Sequence, residues 1–124
     1  MDVRGTDFVL YFVDEWDAAI TFYRDTLGLK LDFCKDKAKW AEFSIPPTTL
    51  ALFGGEDDAP IRNGPGGSAV VLGISNFEET LKELESSGIE VTWRKEFGPC
   101  YMAMISDPCG NPVFIHERKD GTFG

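Results

Sequence analysis

FVLYFVDEWDAAITFYRDTLGLKLDF, residues 8–33, reads as an apolar run, a short polar turn, a helix-periodic stretch, a glycine and an alternating strand. The same order returns in AVVLGISNFEETLKELESSGIEVTW, residues 69–93. With an offset of 61, Trp16 falls on Phe77, Ile20 on Leu81 and Tyr23 on Leu84. These are the i, i+4, i+7 positions of one amphipathic helix face. The first helix is one residue longer, so Gly28 matches Gly88. Each glycine stands just past a helix end, where it takes the left-handed backbone conformation at least cost. Leu29, Leu31 and Phe33 then answer to Ile89, Val91 and Trp93, the expected alternating apolar face of a strand. Asp14 and Ser75 are the expected N-caps.

Working outward, KWAEFSI followed by TTLALF mirrors CYMAMIS followed by NPVFIHE. Each pair predicts two strands around a proline turn, Pro46-Pro47 in one copy and Pro108, Gly110 and Asn111 in the other. The repeat unit is therefore strand, helix and three strands, made twice. We expect one domain over residues 1–124, with modules at about 6–53 and 67–117 joined by a glycine- and proline-rich loop at 54–66. The sequence leaves open whether the modules pair within a chain or exchange between chains.

A formal charge of −9 cannot assemble the basic stripe that nucleic acid needs, nor does it suit an anionic membrane surface. The chain shows no membrane-length apolar run and no signal-peptide pattern at its start, which predicts a soluble, cytoplasmic protein. Three cysteines, Cys34, Cys100 and Cys109, have no zinc-motif spacing and read as reduced thiols, Cys34 and Cys100 as packing residues. The acidic run GEDDAP, 55–60, reads as a solvated loop or as a rim attracting a cation or a second subunit.

VDEWDAAITFYRDTLGL (13–29) and DPCGNPVFIHE (107–117), set in tandem βαβββ units, resemble the vicinal oxygen chelate superfamily. Glyoxalase I, extradiol dioxygenases and the bleomycin and fosfomycin resistance proteins are members. The resemblance runs from Phe8 to Glu117. It implies an α+β fold in which curved four-stranded mixed sheets form an open cup with helices on the convex side. It also implies that metal-dependent members draw His, Gln or Glu ligands from the first and last strand of each copy. Carried onto this chain, the four positions are Phe8, Ala51, Ala69 and Phe114. None has a lone pair to give, and a catalytic divalent site needs about three protein ligands. A one-residue register shift offers Asp7, Ser68, Leu50 and Leu52, or Val9, Val70, Val113 and Ile115, and neither is a ligand set. We expect no metal and no cofactor.

Side chains alternate along a strand, so Leu10, Phe12, Thr49, Phe53, Val71 and His116 should share the cup face with those four. Trp40, Glu42 and Tyr101 join them from the middle strands. The expected ligand-binding set is Phe8, Phe12, Trp40, Glu42, Ala51, Phe53, Ala69, Tyr101, Phe114 and His116. An aromatic strand face also fits plain core, and Phe8 and Phe114 can simply plug the space a metal once held. His116 and Glu42 are the candidate acid or base groups, although a lone histidine near a chain end and a half-exposed strand carboxylate have ordinary explanations. Asp107 reads as a turn-stabilising residue. Glu117 should point away from His116, which argues against a dyad.

Two functions follow as expectations. One is a metal-free binding protein, plausibly a homodimer, that sequesters a hydrophobic or cationic compound such as an antibiotic. The alternative is a lyase or isomerase acting on a small metabolite through His116 or Glu42. Metal-dependent catalysis through Glu42, His116 and Glu117 is a third reading.

Overall fold

In the computed structural model, which describes residues 2, 4, 8–54 and 69–122, each repeat folds as a four-stranded sheet. The chain divides into two compact units, Met1–Asn63 and Gly64–Gly124. The expected connection beyond Gly54, its GEDDAP run and the outermost residues of both expected modules lie outside the described residues.

The first unit contains β1 (Val9–Phe12), α1 (Trp16–Thr21), β2 (Lys30–Lys35), β3 (Trp40–Ile45) and β4 (Thr48–Phe53). The second contains β5 (Val70–Gly73), α2 (Phe77–Ser86), β6 (Trp93–Glu96), β7 (Cys100–Ser106) and β8 (Pro112–Arg118). The strand orders, β1-β4-β3-β2 and β5-β8-β7-β6, are the same order twice. The first strand of each unit pairs in parallel with the last, and the remaining pairs are antiparallel. Both sheets are therefore mixed, as the α+β reading requires. Backbone bonds repeat too: Val13 N–H donates to the Phe53 carbonyl (3.0 Å) as Ile74 N–H does to that of His116 (2.9 Å).

The extra residue of the first repeat has a definite place. After α1 the chain passes through a π-helical turn, Phe22–Thr26, where Leu27 N–H donates to the carbonyl of Phe22, five residues back (2.9 Å). Such a turn stores one additional residue without breaking the helix. The exit is the same in both copies, with Leu29 N–H on the Tyr23 carbonyl and Ile89 N–H on that of Leu84, both 2.9 Å. Gly28 and Gly88, at φ 70 and 81, make the turn out of the helix.

Only one face of each sheet is covered by its helix. In the first unit Tyr11, Ala41, Phe43, Leu50 and Leu52 are buried on that face, and the ring of Tyr23 lies 5.9 Å from that of Phe43. In the second, Val70, Ala103, Ile105, Val113 and Ile115 are buried, and Phe77 of α2 stacks on Tyr101 at 5.4 Å. Strand β2 departs from strict alternation. The register shifts between Leu31, opposite Phe43, and Phe33, opposite Glu42, so Phe33 turns to the uncovered face and is 48% exposed.

The capping expectation fails at both helices. α1 starts at Trp16 with Glu15 before it and no side-chain cap bond. α2 starts at Phe77 after Asn76, which sits at φ 57. Its free amides are met from a distance: the Glu117 carboxylate, on β8, accepts the N–H groups of Asn76 (2.9 Å) and Phe77 (3.1 Å). A carboxylate suits the positive end of a helix whichever strand supplies it.

The turn at 107–111 is held by Asp107, as expected. One carboxylate oxygen accepts the amides of Cys109 (2.9 Å) and Asn111 (2.8 Å), and the other accepts the Asn111 side-chain amide (2.9 Å). Gly110 supplies the positive φ, 86. The matching turn of the first unit contains a cis Pro46-Pro47 bond.

The cysteines are free thiols, but Cys34 is exposed rather than packed. Its S–H and the Trp16 indole N–H both approach Asp36 Oδ1, at 3.4 and 3.0 Å. The indole donor, with the thiol second, holds the Asp36 carboxyl below its ordinary range, while partial desolvation and that carboxylate push the thiol up.

Two measurements check these assignments. Glu117→Ala should destabilise the fold by about 1 kcal/mol, the usual scale for losing a helix cap. Urea unfolding reads the change, and Glu117→Gln should lose less. Because the folded Asp36 carboxyl is more acidic than the unfolded one, its stabilising effect is full above about pH 4, the unfolded value, and disappears as pH falls through the lower folded value. The stability gap between wild type and Asp36→Asn should therefore be widest near neutrality and close on acidification.

Candidate ligand-binding faces

The uncovered face of the first sheet follows from its register. One row across the sheet runs Leu10, Ala51, Glu42 and Phe33; the next runs Phe12, Phe53, Trp40 and Lys35. The rings form a connected group. Trp40 meets Phe53 at 5.9 Å and Phe53 meets Phe12 at 6.0 Å. Phe8 meets Trp40 edge to face, at 5.9 Å and 88°. Phe8 precedes β1 and Trp40 opens β3, so their rings lean together across the row that holds Ala51. Ala51 is fully buried although it faces away from the helix. Its small side chain leaves the room into which the rings close.

Glu42 stands in that row, half-buried, between Phe33 and Ala51. Each aromatic pair of this kind contributes about 0.5–1.5 kcal/mol beyond area burial. The ring group is thus a stable surface, although Phe8 remains 44% exposed.

In the second unit the uncovered face carries Val71, Phe114 and Met104 in one row and Gly73, His116 and Met102 in the next. Trp93 lies opposite Met104 and packs edge to face on Phe114 at 6.2 Å. Ala69 stands one pleat before Val71 and is partly exposed. This face is richer in methionine and poorer in ring contacts than the first.

Tyr101 corrects the sequence reading. It stacks on Phe77, and Lys119 Nζ sits 5.0 Å from its ring centre. Beside it, Arg94 lies over Phe77 and pairs with Glu78. Tyr101 is thus on the helix side, one residue out of phase with Met102. The expectation assigned the wrong phase to β7 because CYMAMIS is apolar on both faces; the register with β8 resolves it. The other nine nominated residues all belong to uncovered faces.

Glu117 and His116 do point to opposite sides: Glu117 is engaged at the start of α2, and His116 lies opposite Met102. A metal set of Glu42, His116 and Glu117 is therefore not assembled. At the four positions that the resemblance marks for metal ligands stand Phe8, Ala51, Ala69 and Phe114, and the buried Ala51 lies in the row closed over by rings. These residues do not fit a metal. Among the described residues no group of three or more His, Cys, Asp or Glu side chains is arranged to hold one. Sequence reading also missed Phe33, which only the β2 register shift brings to the face.

The face explains the packing test that suits it. Ala51→Leu should force Phe8 and Trp40 apart and cost about 1–3 kcal/mol, the usual scale of overpacking. A change in Trp40 fluorescence should accompany the drop in melting temperature.

A model of the glyoxalase/bleomycin resistance protein/dioxygenase superfamily matches residues 5–115. No curated protein matches the chain. Solved structures do. A lactoylglutathione lyase from Agrobacterium tumefaciens is 22% identical, with a TM-score of 0.75, over 99% of this chain and 100% of that one. A glyoxalase family protein from Bacillus anthracis is 20% identical, with a TM-score of 0.78, over 96% and 98%. TnmS3, an antibiotic binding protein from a Streptomyces species, is 22% identical, with a TM-score of 0.75, over 96% and 99%. At these identities the likeness is one of fold. No helix of the described residues is long and apolar enough to cross a membrane.

Proposed function

The chain belongs to the glyoxalase/bleomycin resistance protein/dioxygenase superfamily, and from that premise we propose that it binds and sequesters a small hydrophobic or cationic compound without a metal. The observation that carries this reading is the ring group of Phe8, Trp40, Phe53 and Phe12 on a sheet face that no helix of its own unit covers. Small-molecule sites are mostly apolar with a few placed polar groups. Glu42 supplies such a group here, and His116 supplies one on the second unit's face. The antibiotic binding protein with the same fold supports the reading by likeness alone.

We further read the protein as a cytoplasmic homodimer. Free thiols suit a reducing compartment. Val71, Trp93 and Phe97 of the second unit are 49, 39 and 37% exposed, apolar surface that a second copy would cover.

Lyase or isomerase activity is the second reading. It is favoured by one observation: neither Glu42 nor His116 has a side-chain hydrogen bond or ion pair among the described residues, and both lie on uncovered faces. His116→Ala should then abolish turnover while leaving binding nearly unchanged.

A library of cationic aromatic antibiotics and hydrophobic metabolites, screened by thermal shift and tryptophan fluorescence, tests the binding reading. A ligand should raise the melting temperature and quench wild type more than Trp40→Phe. Trp40→Ala should weaken its binding at least about tenfold, or 1.4 kcal/mol. Absence of any shift or quenching across the library would sink the proposal.

A further inference from the structure

Glu42 narrows the class of ligand. Its flanking positions on the uncovered face are Phe33 and Ala51, and Trp40 stands one pleat along the same strand. Among the described residues its carboxylate has no side-chain hydrogen bond and no ion pair. Two lysines of β2 share the face, and neither serves it. Lys30 turns to Asp32, 3.5 Å away. Lys35, opposite Trp40 in the register, is exposed and makes no ion pair with Glu42.

A half-buried carboxylate with no partner side chain depends on solvent water for its hydrogen bonds. A neutral apolar molecule laid over the rings would strip that water and leave the carboxylate without a partner, which is unfavourable. A cation reverses the sign of this effect, because it brings a counter-charge that none of the described residues gives Glu42. The rings act in the same direction. Their faces are electron-rich, and Phe8 meets Trp40 at 88° while Trp40 and Phe53 are tilted at 54°. Rings set at steep angles form a corner in which a compact cation contacts more than one of them.

Resting on the binding reading above, we propose that the first unit's face selects an organic cation, a quaternary or protonated amine held against Trp40 and Phe8 with Glu42 as its counter-ion. The occupant is defined by charge and shape: a methylated or alkylated ammonium group, small enough for the corner, attached to an apolar body that lies along Phe53 and Phe12. The acidity of the chain, −9 overall, favours the approach of such a molecule.

Choline and 3,3-dimethylbutanol have nearly the same shape and differ by the charge on the branched group, so they separate charge selection from simple apolar contact. With nitrogen-15-labelled full-length protein, titration should move the Trp40 indole N–H resonance, assigned by its loss in Trp40→Phe. Choline should bind at least tenfold more tightly than the neutral alcohol. Glu42→Gln, which keeps the size of the side chain, should erase most of that advantage. In wild type the advantage should also shrink as salt is raised, a readout that needs no variant to fold. Equal binding of the two probes at Trp40 would overturn the cation assignment while leaving a small-molecule site in place. A choline advantage that survives Glu42→Gln would overturn it too, as would no response to either probe. In that last case a hit from the wider library would still uphold the binding reading.

Discussion

Everything in this fold depends on a four-stranded sheet being covered by a helix on one face only. Side chains alternate along a strand, so the strands that line the core supply a core residue and an uncovered residue in turn. The core series is strict: Tyr11, Ala41, Phe43, Leu50 and Leu52 in one unit, Ala103, Ile105, Val113 and Ile115 in the other. With those residues fixed, none of the strands that carry them can slip by one position without taking its core set out into water. The uncovered series is then free to vary in chemistry while its geometry stays constant. In this chain that freedom has been used to put phenylalanine and alanine where metal-dependent relatives place ligands.

Much of this was legible in the sequence. The repeat of helix positions Trp16, Ile20 and Tyr23 on Phe77, Leu81 and Leu84 reports a periodicity that the helices must obey, and the DPCGN turn has one way to satisfy its amides. Alternation counted from the positions that the resemblance marks places Phe12 and Phe53 together, with Trp40 and Glu42 joining from the middle strand. It failed where the pattern is ambiguous or interrupted. CYMAMIS has no polar phase to read, so Tyr101 was assigned to the wrong face. The bulge in β2 reverses phase between Leu31 and Phe33, and no residue in KLDFCK announces it. The Glu117 cap was hidden for a different reason: it joins residues 40 and 41 positions apart, beyond the reach of a local capping rule.

The two units also show how differently one plan can be stabilised. The first closes its uncovered face with rings packed on one another. The second spends its aromatic contacts partly on the helix side, where the stacked rings of Phe77 and Tyr101 carry Arg94 and Lys119 respectively, with Glu78 and Glu96 pairing the two cations. Those surface ion pairs, which hold one cation on each outer side of the stacked Phe77 and Tyr101 rings, are individually weak. Their effect is to fix the long cationic side chains over the rings and shield apolar surface that would otherwise face water.

The π-helical turn at Phe22–Thr26 absorbs a difference in length between the two halves. In a chain built of two matching halves, one extra residue in either half threatens to put every following residue out of step. Here a single-residue difference in length is confined to one loop of helix, and both halves leave it through equivalent backbone bonds, so the sheets beyond keep the same strand order. The turn works as a mechanical buffer between helix and sheet. It let one half of the molecule change length while the shared architecture of both halves stayed intact.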